Sequence, residues 1–203
     1  AQWLLTVDQD SAIADDHVVR LLAVAQAASR VLRVGAVGAR AVNDAAGAIG
    51  YPVTRVDGIP TTPEVIQTGT LWSVAALEEI GGFDESLGID GVDAAACVRL
   101  RSRGYAVVLA PDVSVQHRVG ASRAVTVLGR TVTSTGHSPD RRTTIVRNRL
   151  RLFPEEFRQD RVHALRTLRR VAMGTLLAVT VEDDRWAKAK ASAKGLLPAR
   201  DAR

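Results

Sequence analysis

Apolar runs of strand length alternate with helical patterns through the first 117 residues of the chain. We predict strands over residues 3–7, 31–37, 51–56, 105–110 and 113–117, and helices over residues 18–24, 75–80 and 91–103. The first strand is mostly apolar, which predicts that it is buried. Alternation of strands with helices is typical of an α/β fold, in which helices cover the faces of a sheet.

The second half of the sequence has a different pattern. Residues 118–139 are rich in Gly, Ser and Thr and are expected to form a mobile loop. From about residue 142 onward the pattern is helical, including a helix over residues 161–181. We therefore expect an α/β core over residues 1–136, followed by a basic loop and a helical tail over residues 137–203.

Charge is unevenly distributed between these two parts. Residues 137–203 contain 16 Lys or Arg and 8 Asp or Glu, a net charge of +8, whereas residues 1–136 carry −3. An acidic region suits a metal site, and a basic region suits phosphate groups or an anionic membrane surface. Nucleic acid is not expected as a partner, because few aromatic residues are interleaved with the basic ones.

Two further properties of the sequence predict a cytoplasmic protein. Cys97 is the only cysteine, which excludes an internal disulfide framework and suits a reducing compartment. No apolar run reaches the ~18 residues of a membrane-spanning helix.

The sequence begins with Ala1 and enters a predicted strand almost at once. We therefore expect either a processed start or a piece of a longer protein.

Asp8 and Asp10 follow the first strand with one residue between them. On a strand, this spacing directs both carboxylates to the same face. Paired carboxylates at the end of a buried strand form a site for hard cations such as Mg²⁺ or Mn²⁺. A solvated turn or the cap of the following helix explains the same pair equally well, so other residues must decide.

A second group of candidate residues lies farther along the chain. Gly69 permits close approach of a ligand to the backbone, and Gly81-Gly82 favours a tight turn. Asp90 and Asp93 lie at the start of the helix predicted after them, where the helix dipole stabilises a carboxylate. A simple N-cap is the alternative for either aspartate.

In their order and spacing these motifs resemble family 2 glycosyltransferases of the GT-A fold, most closely the bacterial rhamnosyltransferase-like branch. The resemblance is carried by residues 3–11, 68–70, 81–85, 90–99, 104–105, 117–120 and 137–149. It implies a partial GT-A domain, a Rossmann-like mixed sheet with a C-terminal helical tail. It also implies a nucleotide-diphosphate sugar donor (dTDP-rhamnose or a UDP-sugar) and a cell-envelope or polysaccharide glycan, such as a lipid-linked one, as acceptor.

The resemblance also assigns roles to individual residues. Asp10 is the expected metal ligand, while Asp8 is expected nearer the nucleotide sugar and is a second candidate ligand. Asp93 falls where the family has its catalytic base, which takes the proton of an acceptor hydroxyl in a single inverting displacement. His117 is expected to complete the metal site, and an ordinary histidine at a strand end is the alternative.

Five residues are candidates for contacts with the substrates. Gly69, Arg142 and Arg147 are expected to bind the donor, since arginine can grip phosphate with two hydrogen bonds. A solvated helix face is the alternative for either arginine. Asp90 and Trp72 are candidates on the acceptor side, and burial in the core is the alternative for Trp72.

The sequence departs from the family pattern in two places. Residues 94–96 are all alanine, where the branch has acidic and aromatic residues, so the acceptor-side detail stays open. The βα units that precede the Asp-x-Asp strand in a GT-A domain, and that supply much of the nucleotide pocket, are not in the sequence. A truncated or degenerate transferase that serves as a non-catalytic binding module is therefore the main alternative.

A haloacid-dehalogenase-type phosphohydrolase is a further alternative. Its nucleophile motif is also an apolar strand that ends in Asp-x-Asp, as Asp8 and Asp10 do here. That chemistry needs a lysine as well, and the first lysine of this chain is Lys188. The phosphohydrolase is therefore a weaker interpretation than the transferase.

The helix over residues 161–181 combines four arginines with leucine and valine residues. Such an amphipathic basic helix either packs on the catalytic domain with its arginines in solvent, or lies on a membrane surface. The second interpretation predicts peripheral contact with the inner face of the cell membrane.

Overall fold

The computed structural model describes residues 1–43, 47–48, 50–117, 123–127 and 130–197. The chain forms two compact units. The first, here called the sheet unit, consists of Ala1–Ser86 and Val92–Arg118, and the second, the helical unit, consists of Leu87–Gly91 and Val119–Arg203. The division predicted at residue 136 is a different partition and stays a prediction.

The sheet unit is a mixed sheet with helices on it, which confirms the predicted α/β fold. Its strands are β1 (Trp3–Thr6), β2 (Ala12–Ile13), β3 (Val34–Asn43), β4 (Gly47–Ala48), β5 (Thr54–Val56), β6 (Ile59–Thr61), β7 (Thr70–Ser73) and β8 (Ala106–Gln116). Its helices are α1 (His17–Ala28), α2 (Val74–Glu79) and α3 (Val92–Ser102). The strand order is β1-β7-β3-β8-β6-β5, with β2 beside β8 and β4 beside β3. β3 and β8 are parallel, whereas β7 is antiparallel to both β1 and β3.

Successive residues of β3 face opposite sides of the sheet and reach two separate cores. Val37 packs in the core that includes α1. Ala36 faces the other side, where it joins Trp72 and residues of α2 and α3. The backbone there is closely covered, because a Cβ on Gly38 would lie only 2.4 Å from Val65 Cγ1. The small residues of β3 therefore let helices and loops approach the sheet closely.

Three predictions about strands are wrong in detail. β1 lies at an end of the described strand order and Leu4 is 43% exposed, so this strand is half-buried rather than buried. The strand predicted over residues 31–37 begins at Val34, after the last turns that follow α1. Residues 106–116 form one strand, not two, because the register against β3 shifts between Ala39 and Arg40 and so accommodates Pro111.

The helical unit contains a hairpin and three helices. β9 (Arg123–Val127) and β10 (Arg130–Ser134) pair antiparallel, so the segment expected to be a mobile loop contains a β-hairpin. Residues 118–122 and 128–129 of that segment lie outside the described residues. The helices α4 (Pro139–Gln159), α5 (Arg161–Thr180) and α6 (Arg185–Gly195) confirm the predicted helical tail. Within the described residues, no helix has both the length and the apolar character needed to cross a bilayer.

Candidate functional site

The candidate residues of the sheet unit gather at one edge of its sheet. β1, β3 and β8 run in the same direction, because β7 is antiparallel to β1 and β3 and because β8 is parallel to β3. Asp8 therefore follows β1 at the edge where His117 follows β8. β7 runs the opposite way, so Gly69, which precedes it, lies at this edge too. Ligands of α/β sheets bind beyond the carboxyl ends of the parallel strands.

Asp8, Asp10 and His117 form a cluster at this edge, which we call the acidic cluster. One ligand atom of each residue lies within 4.8 Å of the other two. His117 Nδ1 is 3.6 Å from Asp8 Oδ2, and Ser11 Oγ is 3.4 Å from the same nitrogen. Asp10 is exposed, whereas Asp8 and His117 are half-buried. The structure thus brings together the three residues predicted as metal ligands and leaves them accessible from solvent.

A turn, rather than the strand itself, brings the two carboxylates together. β1 ends at Thr6, and the backbone N–H of Ser11 donates to the carbonyl oxygen of Asp8 at 3.0 Å. The strand argument for a shared face therefore does not apply to Asp8 and Asp10, since both lie beyond the strand. They reach the same cluster because the chain reverses directly after Asp8.

The donor set of the acidic cluster fits a divalent cation. Carboxylate oxygens suit Mg²⁺ and Mn²⁺, and an imidazole nitrogen is a common ligand of transition metals. Two carboxylates that share a site repel each other, and a cation between Asp8 and Asp10 would relieve this repulsion. The exposure of Asp10 leaves the cluster accessible to oxygen atoms of a ligand. Asp8, Asp10 and His117 are therefore the residues that would hold the metal.

The loop before β7 is tied to the end of β1. The N–H of Asp8 donates to Thr68 Oγ1 at 3.0 Å, and the N–H of Gly69 donates to the carbonyl of Thr6 at 2.8 Å. Gly69 has a φ of +69°, and a Cβ there would lie 2.9 Å from Val115 Cβ. The backbone of Gly69 thus lies against strand β8, and the loop holds Asp8 at its backbone; donor binding by Gly69 stays a prediction.

His17 is a further residue of this region, and no sequence pattern indicates it. It is the first residue of α1 and is fully buried. Its Nε2 lies 3.2 Å from the carbonyl oxygen of Gly69. Because a carbonyl only accepts, Nε2 carries the hydrogen and donates it. His17 therefore holds the loop that holds Asp8, a role that a histidine at a helix start does not reveal in sequence.

Gly69→Ala is expected to destabilise the sheet unit. A side chain at positive φ costs about 1–2 kcal/mol, and the contact with Val115 adds to this cost. We expect the thermal unfolding midpoint to fall by roughly 3–8 °C in differential scanning calorimetry. Gly58→Ala is the matched control, because Gly58 has a φ of +81° but nothing within 4 Å of its Cβ position. If the unfolding midpoint of Gly69→Ala falls no further than that of Gly58→Ala, Val115 does not crowd a side chain at residue 69.

Asp93, the candidate base, lies in the first turn of α3 and in the same unit as the acidic cluster. Its side chain is half-buried, and Oδ1 accepts a hydrogen bond from the N–H of Ala94 at 2.8 Å. α3 packs on β8 and leads into that strand after Gly104. Its N-terminus is therefore directed back toward the edge where β8 ends. The helix dipole favours the ionised carboxylate that a general base requires.

Two neighbours of Asp93 are further residues that the sequence did not indicate. Burial raises the pKa of the Tyr51 phenol, and the carboxylates of Asp93 and Glu64 raise it further. Tyr51 therefore stays protonated at neutral pH and is able to donate a hydrogen bond. We add Tyr51 and Glu64 to the candidate residues around Asp93.

The three alanines after Asp93 are core residues. Ala94, Ala95 and Ala96 are all at most 1% exposed. They face the interior of the sheet unit, so no acceptor contact is expected from them. Residues 94–96 therefore contribute to the packing of α3 against the sheet unit.

Arg142 is placed differently from its predicted role. It is 4% exposed, and its Nη2 donates to Thr175 Oγ1 of α5 at 2.6 Å. Burial lowers the pKa of its guanidinium. An arginine held inside the helical unit does not grip a phosphate, so we do not retain Arg142 as a donor ligand. Arg147 is half-buried, and its Nε has no hydrogen-bond partner among the described residues, so it stays a candidate.

Trp72 belongs to the core, as the alternative interpretation predicts. It is fully buried, and its Nε1 donates to Thr6 Oγ1 at 2.8 Å. Its ring contacts the ring of Phe83 edge-on, with 5.2 Å between the two ring centroids. The acceptor-side assignment of Trp72 is therefore wrong, because a buried ring cannot stack on a sugar.

Asp90 belongs to the helical unit, where it forms an ion pair with Arg141.

Comparison of sequences identifies one curated relative and no family. No protein-family model matches the chain. The dTDP-rhamnosyl transferase RfbF of Shigella flexneri is 33% identical over 111 residues, which make up 55% of this chain and 35% of that protein. The chain thus spans about a third of the length of the curated relative that it matches.

Comparison of structures identifies glycosyltransferases. TarS 1–349 of S. aureus, in complex with UDP-GlcNAc, aligns with a TM-score of 0.53 and 14% identity over 97% of this chain and 57% of its own. The mannosyltransferase PcManGT of Pyrobaculum calidifontis, in complex with GDP-Man and Mn²⁺, aligns with a TM-score of 0.47 and 16% identity over 95% of this chain and 49% of its own. At such identities the TarS likeness establishes the fold alone. The chain therefore has the fold of GT-A glycosyltransferases, and in sequence it resembles the rhamnosyltransferase-like branch of family 2.

Proposed function

We propose that this protein is an inverting, metal-dependent glycosyltransferase. It moves a sugar, with rhamnose favoured, from a dTDP- or UDP-activated donor to a cell-envelope or polysaccharide glycan. The observation that carries the proposal is the acidic cluster of Asp8, Asp10 and His117 at the carboxyl edge of the sheet. The similarity to a dTDP-rhamnosyl transferase supports the choice of sugar.

The acidic cluster would hold Mn²⁺ or Mg²⁺ next to the donor diphosphate. When bound, such a cation neutralises charge on the diphosphate leaving group. Asp10 and His117 supply a carboxylate and an imidazole, and Asp8 supplies a second carboxylate whose backbone is fixed by Thr68. Arg147 is the remaining arginine candidate for the donor phosphates, since it is not buried as Arg142 is.

Asp93 acts as the general base in this proposal. Its carboxylate takes the proton of an acceptor hydroxyl while that oxygen forms a bond to the anomeric carbon. The bond from this carbon to the diphosphate oxygen breaks, and its electron pair leaves with the nucleoside diphosphate. One displacement inverts the anomeric centre and needs no covalent intermediate on the protein.

A panel of nucleotide sugars tests the proposal. We expect dTDP-rhamnose or a UDP-sugar to release its nucleoside diphosphate in the presence of Mn²⁺. The same donor is expected to stay intact when EDTA replaces the metal. If no donor is turned over and no donor binds in an Mn²⁺-dependent way, the result would favour a non-catalytic module instead. Hydrolysis of a generic phosphomonoester would support a phosphohydrolase, an interpretation that the GT-A fold of the chain does not favour.

The outer face of α5 supports a peripheral contact with an anionic membrane. The large apolar side chains exposed on this helix are Val162 at 58%, Leu165 at 53%, Met173 at 47% and Leu176 at 51%. At helical spacing they lie along one side of α5. Arg166, Arg169 and Arg170 are exposed on the same helix. Apolar residues interleaved with arginine are typical of helices that lie in the bilayer interface, and we propose the inner face of the cell membrane as the partner.

Charge reversal on α5 is expected to release the protein from anionic vesicles. We expect Arg166→Glu with Arg169→Glu to lower vesicle binding by at least about tenfold in co-sedimentation, since each basic residue near such a surface contributes about 1 kcal/mol. Arg30→Glu with Arg158→Glu, two exposed arginines elsewhere, is the control for net charge. Equal loss in both variants, or no binding by the wild type at low salt, would contradict a specific α5 contact.

A further inference from the structure

Residues 66–70, here called the bracing loop, are tied down at this edge of the sheet unit. Within the loop, Thr70 Oγ1 donates to the carbonyl of Ile66 at 2.7 Å. The carbonyl oxygen of Gly69 accepts the N–H of Ala39 in β3 at 3.4 Å, in addition to the bond from His17. Buried polar groups with fixed partners restrict the shapes that a segment can adopt. The bracing loop is therefore a fixed support beside the end of β1.

Thr68 is the residue of the bracing loop that reaches a candidate metal ligand. It is fully buried, and its Oγ1 accepts the N–H of Asp8 at 3.0 Å. The carbonyl of Asp8 in turn accepts the N–H of Ser11. Both polar groups of the Asp8 backbone are thus fixed, one by a side chain and one by the turn. The rotation of its own side chain is the freedom that remains to the carboxylate.

His17 holds the bracing loop from the side of α1. Its Nε2 donates to the carbonyl of Gly69, the residue after Thr68, at 3.2 Å. The other ring nitrogen, Nδ1, is buried and has no hydrogen-bond partner among the described residues. A polar ring in the interior is costly unless it forms hydrogen bonds. The bond to Gly69 therefore accounts for a histidine at this buried position.

We infer that Thr68 and His17 are positioning residues that set where the Asp8 carboxylate lies in the acidic cluster. The inference rests on the proposed function, in which this cluster holds a divalent cation. Residues that orient a metal ligand without touching the metal contribute to its affinity, because they keep the ligand in the required geometry. Here the orientation passes through the backbone: His17 holds Gly69, and Thr68 holds the N–H of Asp8. These residues and the acidic cluster all belong to the sheet unit.

Asp8 is a ligand residue whose support a substitution can remove. The N–H of His117 donates to the carbonyl of Val42 in β3 at 2.9 Å, and a bond between two backbone groups survives a change of side chain. The backbone of Asp8, in contrast, is held by the hydroxyl of Thr68. The metal affinity of the cluster is therefore expected to depend on that hydroxyl.

Thr68→Val tests the inference with little change in shape, since it replaces the accepting hydroxyl with a methyl group. We expect the Mn²⁺ affinity to fall about tenfold in titrations followed by electron paramagnetic resonance, the lower end of what such supporting residues contribute. Thr68→Ser keeps the hydroxyl and is expected to bind Mn²⁺ within about twofold of the wild type. An unchanged affinity in Thr68→Val, or an equal fall in Thr68→Ser, would overturn the role of the hydroxyl.

Thr62→Val separates positioning from a general loss of stability. Thr62 is also buried, at 3% exposure, and its hydroxyl donates to the carbonyl of Glu64 at 3.2 Å. Its N–H donates to Val107 near the start of β8, whereas His117 follows the end of that strand. We expect Thr62→Val to keep the Mn²⁺ affinity of the wild type. An equal fall in both valine variants would mean that the affinity follows the stability of the sheet unit, which would overturn the inference.

Two substitutions of His17 test the other side of the bracing loop. Leucine cannot donate to Gly69, whereas the amide of glutamine can. We expect His17→Leu to lower the Mn²⁺ affinity about tenfold and His17→Gln to retain most of it. If both variants bind Mn²⁺ as the wild type does, His17 is not a positioning residue. If both lose the same affinity, the hydrogen bond to Gly69 is not the cause.

Exchange of the Asp8 amide with solvent tests the same support without a metal. In hydrogen exchange followed by NMR, we expect this amide to exchange at least about tenfold faster in Thr68→Val than in the wild type. An Asp8 amide that exchanges in the wild type at the rate of a free peptide would overturn the inference even where no variant folds. If the wild type binds no Mn²⁺, the metal site of the proposed function fails, and the exchange of this amide still decides whether Thr68 holds Asp8.

Discussion

Asp93→Asn is expected to lower the rate of sugar transfer by about 100-fold to 10,000-fold, the usual contribution of a positioned general base. Asparagine keeps the size of the side chain and its place in the first turn of α3, but it cannot take the proton of an acceptor hydroxyl. Affinity for the nucleotide sugar with Mn²⁺ is expected to be unchanged. Initial rates of transfer, measured together with donor binding by calorimetry, provide the comparison.

The control for this prediction is Asp112→Asn. Asp112 is an exposed aspartate of β8 in the same unit, and its side chain has no part in the proposed site. We expect its rate to match the wild type. Full turnover in Asp93→Asn would remove Asp93 from the role of base, and the carboxylate of Glu64, which like Asp93 raises the pKa of Tyr51, would be the next residue to test.

Asp10→Asn is expected to weaken Mn²⁺ binding by at least about 100-fold. Removal of a residue that only supports a metal ligand usually lowers the metal affinity by up to about 100-fold, and loss of a ligand itself is expected to cost at least as much. The substitution removes one of two carboxylates from a cluster that has three ligand residues. Mn²⁺ titration followed by electron paramagnetic resonance measures the affinity without any substrate. We expect donor turnover to fall in parallel.

Asp15→Asn is the matched control for Asp10→Asn. Asp15 is an exposed aspartate five residues farther along the same connection, outside the acidic cluster. Its Mn²⁺ affinity is expected to equal that of the wild type. A similar loss in both variants would mean that the metal responds to net charge near α1, and not to the geometry of the acidic cluster.

Features encoded by local patterns could be predicted from the sequence. The apolar run before Asp8 forms β1, and the helix before Gly104 forms α3 with Asp93 in its first turn. The spacing of apolar residues and the position of the glycine that ends a helix suffice to predict such elements, because both signals act within a few residues. The mixed sheet was implied by the resemblance to the GT-A fold, and in the structure it places Asp8 and His117 at one edge.

Features that depend on distant residues could not be predicted in this way. Arg142 and Arg147 look alike in sequence, yet Arg142 is buried against Thr175 and Arg147 is only half-buried. The side chains of His17 and Asn148 donate hydrogen bonds to carbonyl groups 52 and 61 positions away in the chain. No local pattern reports such partners, because packing in three dimensions decides which polar side chains receive them.

We propose that the acidic cluster binds a nucleotide sugar through a divalent cation. Calorimetric titration of the chain with dTDP-rhamnose, once with Mn²⁺ and once with EDTA, measures this binding. The proposal predicts saturable binding with Mn²⁺ and an affinity at least about 100-fold lower with EDTA. Equal affinity in both titrations, or no saturable binding in either, would contradict it.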